Sequence, residues 1–272
     1  FQINYQTNNI LAGIQYEGYL PSSLLGFYPE LDNQNKITNY FIKVQNQKSD
    51  ITVGSFYDQF GNGLIFRSWE DRQLGINNAI KGVKLKYYPS DDIELIAMYG
   101  QQRDGFNYTE STIQGLNADI SLNQILNLKE IDLSIGTSLV NRYQQDGSNA
   151  YIPSNVSAYG GRVNMYAGDF SLNIEGAIKD PDVIANENVV VSNRQYDGTA
   201  LQIDFGYSKK GIGINTTFRR LENFNFYSDR LAEGNIYNQK TLSFTPALSK
   251  QQDYLLTNIY IYNSQPRLVM NS

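Results

Sequence analysis

Histidine and cysteine are both missing from these 272 residues. Without imidazole, no hydroxyl or thiol nucleophile is activated by histidine, and histidine-bearing zinc sites are excluded. Without thiols there are no disulfide staples and no thiolate metal sites. Positive charge is also short: 22 Lys and Arg against 27 Asp and Glu leave a net charge of −5, whereas a nucleic-acid partner demands a basic face. Long apolar runs are missing too. Residues 95–99 (LIAMY) are among the longest, far below the roughly 18 apolar residues a membrane-spanning helix needs. No leader is visible at Phe1, where the chain already reads as a strand, so a processed start or residues ahead of it are expected.

What is present is aromatic, small and polar. The chain holds 21 Tyr and 13 Phe against a single Trp, with 22 Gly, and its mean hydropathy is −0.43. Such a balance fits barrels with aromatic girdles and a polar interior, and equally extracellular sandwiches or sugar-binding modules. Period-two alternation narrows the choice. Leu201, Ile203, Phe205 and Tyr207 fall on one face, with Gln202, Asp204, Gly206 and Ser208 on the other. Phe170, Leu172, Ile174 and Ile178 likewise oppose Ser171, Asn173, Glu175 and Lys179. Comparable stretches lie near 1–7, 11–20, 37–46, 50–58, 80–88, 92–102, 112–123, 130–142, 156–166, 169–180, 197–208, 212–220 and 254–263. That makes about thirteen strands, each close to the ~9–11 residues a tilted strand needs to cross a bilayer and longer than ordinary globular strands.

The connections carry a second signal. Short turns at 7–10, 47–49, 89–91, 167–169 and 209–211 alternate with long connections at 21–36, 59–79, 103–111, 143–155, 181–196 and 221–253. Outer-membrane barrels separate short periplasmic turns from long extracellular loops in this way. The expected fold is therefore all-β: one antiparallel transmembrane β-barrel domain over residues 1–272. An odd strand count does not suit a single-chain bacterial barrel, so the domain is expected to be incomplete at one or both ends, with 14 or more strands in the whole protein.

Candidate functional residues follow from that frame. Residues 58–78 are the least strand-like part and hold the only Trp, a Gly-Asn-Gly turn and the charges Arg67, Glu70, Asp71 and Arg72. Two readings stay open: a constriction folded into the lumen, or a surface loop or brace held by salt bridges. Polar strand faces carry Glu17, Lys43, Lys84, Lys86, Glu94, Asp132, Arg162, Glu175, Lys179, Asp204 and Arg219. Arg67, Glu70, Asp71, Arg72, Lys84, Lys86, Glu94, Arg162, Glu175, Asp204 and Arg219 are the candidates for lining a lumen. Asp180–Pro181–Asp182 and Ser90–Asp91–Asp92 read as turn chemistry, not metal loops. No catalytic residue, cofactor or metal is expected.

Three stretches resemble an uncharacterised family of Bacteroidota outer-membrane proteins, a domain of unknown function. They are GIQYEGYLPSSLLG (13–26), GSFYDQFGNGLIFRSWEDRQLGINNAIKGVKL (54–85) and LIAMYGQQRDGF (95–106), and the likeness is best over the first hundred residues. The resemblance implies a barrel in the outer membrane, in members longer than this chain; it implies no substrate, cofactor or catalytic residue. Three functional readings follow. A porin-like channel surrounded by outer-membrane lipid leads. The alternatives are a non-conducting scaffold or subunit working with other envelope proteins of a secretion or surface-lipoprotein assembly, and a soluble adhesin or carbohydrate-binding module.

Overall fold

A computed structural model describes residues 1–19, 33–71, 76–145, 152–186, 189–230 and 240–244. The strands are β1 (Gln2–Gln6), β2 (Ile10–Gly18), β3 (Asn35–Gln45), β4 (Ser49–Phe56), β5 (Glu70–Asp71), β6 (Ile76–Asn77), β7 (Ile80–Ser90) and β8 (Ile93–Asp104). They continue with β9 (Asn107–Tyr108), β10 (Thr112–Ser121), β11 (Ile131–Tyr143), β12 (Asn155–Ala167), β13 (Phe170–Asn186), β14 (Val189–Lys209) and β15 (Ile212–Glu222). Every strand expected between 1–7 and 212–220 is present in order. The strand expected at 254–263 lies outside the described residues.

One antiparallel meander joins them in the order β1-β2-β3-β4-β7-β8-β10-β11-β12-β13-β14-β15, with β9 folded back on β8 and β5-β6 as a separate pair. Among the described residues β1 and β15 each have a single neighbour, so the sheet is an open wall.

Two connections depart from the sequence reading. Of residues 181–196, expected as a long loop, 181–186 and 189–196 instead prolong β13 and β14 into a ribbon, with pairing carried to Asn186↔Val189. The β-branched Val183, Ile184 and Val190 suit extended backbone. Pro181, which has no ladder donor, sits where the register shifts between Lys179 and Asp182. On the short-turn side, residues 122–130 form a longer connection, closed by bonds from Leu126 N to Leu122 O at 2.9 Å and Leu128 N to Asn123 O at 2.9 Å.

The wall is inverted relative to a soluble protein. Leu116, Ile178 and Phe218 are 55–59% exposed on one face, along with Ile14, Ile42, Val53, Val83, Tyr99, Val163 and Ile214. On the other face Arg142, Arg162, Glu175, Lys179 and Gln202 are all buried. Charged residues are almost never buried without partners, and monomeric soluble proteins rarely expose a continuous apolar face. A wall with hydrocarbon outside and polar groups inside satisfies both rules. Val163 and Asn164 are adjacent in β12 and point to opposite faces. Val163→Arg is expected to cost about 2–4 kcal/mol of folding stability in a bilayer, and Asn164→Arg much less. Urea titration of folding into lipid vesicles checks this, and equal costs would contradict the assignment of faces.

Candidate lumen site

Register brings inward charges into rows. Glu94 pairs Asp119, Asp119 pairs Gly136 and Gly136 pairs Arg162. The row continues through Glu175 and Gln202 to Arg219. Arg162 reaches back over Gly136, where an added side chain would lie 2.5 Å from its guanidinium carbon. From there it donates to Asp119 Oδ1 at 2.9 Å, Ser138 Oγ at 2.7 Å and Asn117 Oδ1 at 2.7 Å. Arg219 donates to Gln202 Oε1 at 3.1 Å, Gln202 donates to Asp204 Oδ2 at 2.7 Å, and Thr217 donates to Asp204 Oδ1 at 2.6 Å.

Above this row the inner face is apolar and covered by the chain itself. Residues 58–68 form a hairpin whose tip turns at Gly61 (φ 54°) and Gly63 (φ 92°), conformations that glycine adopts without strain. Phe60, Leu64, Ile65 and Phe66 are buried in one cluster with Ile113, Val140, Val156, Ala158, Ala177 and Ala200 of the wall. Small inward residues on β12, β13 and β14 make room for the larger side chains of the hairpin. The tip is fixed where Asn62 N donates to Glu175 Oε2 at 2.6 Å.

A second inward segment follows β15. Phe224, Phe226 and Leu242 join the same cluster, and Arg67 N donates to Leu242 O at 2.8 Å while Phe244 N donates to Gly63 O at 2.8 Å. Arg67 lies between two rings, 4.7 Å from the Trp69 centroid and 3.7 Å from that of Phe244, within cation–π range. The two segments, far apart in sequence, thus form one inner body.

Ion pairs clamp that body to the wall. Asp182 accepts from Arg142 Nη2 at 2.6 Å and from Arg230 Nε at 2.8 Å, all three groups being buried. Lys240 lies 2.9 Å from Asp104 and 3.4 Å from Asp229. Burial opposes its ammonium, but the two carboxylates outweigh burial and hold its pKa above the ordinary value. Elsewhere Lys84 meets Asp58 at 2.9 Å, and Lys86 lies 3.8 Å from Asp58 and 3.9 Å from Glu94.

The expected lumen residues therefore fall into separate groups. Lys84, Lys86 and Glu94 gather around Asp58; Arg162 and Glu175 sit beneath the hairpin tip; Asp204 and Arg219 meet through Gln202. Arg67 belongs to the inner body, as do Glu70 and Asp71 in β5, and Arg72 lies outside the described residues. Asp180 and Asp182 are not turn residues. Asp180 accepts from Ser157 N at 3.1 Å, and the register shift at Pro181 turns Asp182 inward onto two arginines. Sequence reasoning also missed Asp58, Asp119 and Arg142 as partners, and Arg103, which donates to both Glu17 oxygens at 3.0 and 2.6 Å. Alternation through β11 places Arg142 inward, a signal that was available. Asp182→Ala leaves two buried guanidinium groups uncompensated and should cost about 3–5 kcal/mol. Arg220→Ala, from an exposed pair at the end of β15, should stay within about 0.5 kcal/mol. Equal losses on denaturant unfolding would contradict the clamp.

Comparison with known proteins gives distant structural likenesses. OccAB3 of Acinetobacter baumannii shares 12% identity at a TM-score of 0.38, over 74% of this chain and 69% of that one. The outer membrane protein opdK from Pseudomonas aeruginosa shares 11% at 0.48, over 81% of this chain but only 61% of its own. The outer membrane channel DcaP of Acinetobacter baumannii shares 12% at 0.40, over 82% of this chain and 65% of its own. This chain therefore spans less than two thirds of the length of opdK and of DcaP. No curated protein matches it. Over residues 1–269 the chain matches a family described as "Family of unknown function (DUF6029)", and it belongs to that family.

Proposed function

We propose that this chain forms most of the wall of an outer-membrane β-barrel that passes small polar solutes through a lumen narrowed by its own inward-folded segments. The observation that carries the reading is the inverted wall: an exposed apolar face backing a face of buried, paired charges. An exposed apolar face of that extent argues against a soluble adhesin. The resemblance of residues 13–26, 54–85 and 95–106 to Bacteroidota outer-membrane proteins supports the same location.

Within this reading Lys86, Glu94, Asp204 and Arg219 line the polar half toward the short turns. Both signs are present, so the passage discriminates weakly between anions and cations and selects mainly by width. The inner body supplies the narrowing, because Phe60, Phe66 and Phe226 take space that water would otherwise fill. That packed body also gives the scaffold reading its one specific support, since a fully sealed lumen conducts nothing.

Reconstitution of the folded full-length protein into planar bilayers separates the two. Discrete conductance steps, with a reversal potential near zero in a salt gradient, are expected. Silence from verified inserted protein would contradict the channel and leave the scaffold.

A further inference from the structure

The inner body meets the wall in two chemically different ways. Toward β10–β14 the contact is dry: Phe60, Leu64, Ile65 and Phe66 pack on Ile113, Val140, Val156, Ala158, Ala177 and Ala200. Toward β2, β3 and β7 it is polar. Tyr57 Oη accepts from Asn39 Nδ2 at 3.2 Å and donates to Asn77 Oδ1 at 3.0 Å. Gln15 donates to Glu17 at 2.8 Å and to Glu70 at 3.4 Å, and its Oε1 accepts from Asn39 at 3.1 Å. Lys84 reaches Tyr57 O at 3.1 Å and Asp58 Oδ2 at 2.9 Å.

This polar side also holds groups the protein leaves unsatisfied. Asn39 Oδ1 and Asn77 Nδ2 are buried without a protein partner, an acceptor and a donor on either side of the Tyr57 hydroxyl. Buried polar atoms are otherwise bonded to protein or to ordered water, so such a pair marks a place that water serves. At one end the seam reaches Asp58, with Lys84 and Lys86 beside it, toward the polar half. At the other it is lined by the Arg103–Glu17 pair and by Tyr108, which donates to Thr38 O at 3.2 Å.

We infer that the hydrated path past the inner body runs along this seam, between residues 57–71 with 76–77 on one side and the β2–β3–β7 wall on the other. Its specificity-determining groups are then Asp58, Lys84 and Tyr57. Arg162 and Glu175, both buried beneath the hairpin tip, do not face the path. The inference rests on the channel reading for its consequence and, for its location, on the polar lining of the seam together with the orphaned Asn39 Oδ1 and Asn77 Nδ2; orphaned atoms occur also at Gln102, Arg142, Asn173 and Thr241.

The chain has no cysteine, so single cysteines report water access directly. Asn77→Cys and Asn39→Cys probe the seam, Ala177→Cys the dry side, and Asn215→Cys on β15 the freely exposed reference. Each is made in the full-length protein in detergent and in bilayers, with retained heat-modifiable gel mobility as the test of folding. With a trimethylammonium methanethiosulfonate reagent, followed by mass spectrometry, the seam cysteines should react within about tenfold of Asn215→Cys, and Ala177→Cys at least ~100-fold more slowly. Modification of Asn77→Cys should also block conductance, and Asp58→Asn should shift the reversal potential toward anion preference. Seam cysteines as slow as Ala177→Cys would overturn the inference while leaving a channel by another route intact. Fast seam labelling in a protein that never conducts would uphold the hydrated seam and overturn the proposed function.

Discussion

A backbone amide surrounded by hydrocarbon can bond only to another backbone group, and the rest of this structure depends on that constraint. From β2 to β14 every strand of the meander has a neighbour on each side. Extended backbone then forces alternation, so each strand offers one row of side chains outward and one inward. Apolar residues occupy the outward row because lipid accepts nothing else cheaply. The inward row therefore collects the charges.

Charges gathered inside must find partners, and their pairing shapes the interior. Part of the demand is met along the wall, as in the row from Glu94 to Arg219. The rest is met by chain folded inward from two remote points in the sequence. The inner body joins an apolar surface, seated on small wall residues such as Ala158 and Ala177, to ionic clamps at its margins. Asp182 shows how far this goes: one carboxylate holds two arginines, one from the wall and one from the segment after β15. Dry packing gives the body its position, and the clamps fix its orientation.

Local rules reached the wall but not its contents. Strands such as β12 and β14 were legible because alternation is written in consecutive residues, as in Leu201 to Ser208. Placement of Lys84, Arg162, Glu175, Asp204 and Arg219 on the polar face of the sheet followed from the same pattern. The reading of 181–196 as a loop failed because strand pairing continues past Pro181, which a register shift absorbs within the strand. Which charges meet was not legible at all. Glu175 is bonded to Asn62, more than a hundred positions away, and nothing in the local pattern around either residue signals the other. The buried hairpin 58–68 was seen as an exception to strand patterning, but its seat on Ala158, Ala177 and Ala200 depends on register across several strands.

The central claim is that lipid covers the outward face while the inner body stays out of its reach. Quenching of tryptophan by brominated acyl chains tests both halves, because the only native Trp is Trp69 in the inner body. In vesicles of brominated lipid the native protein should keep its fluorescence. Tyr159→Trp and Phe205→Trp, each in a Trp69→Phe background, should be strongly quenched. Quenching of Trp69, or protection at positions 159 and 205, would contradict the account.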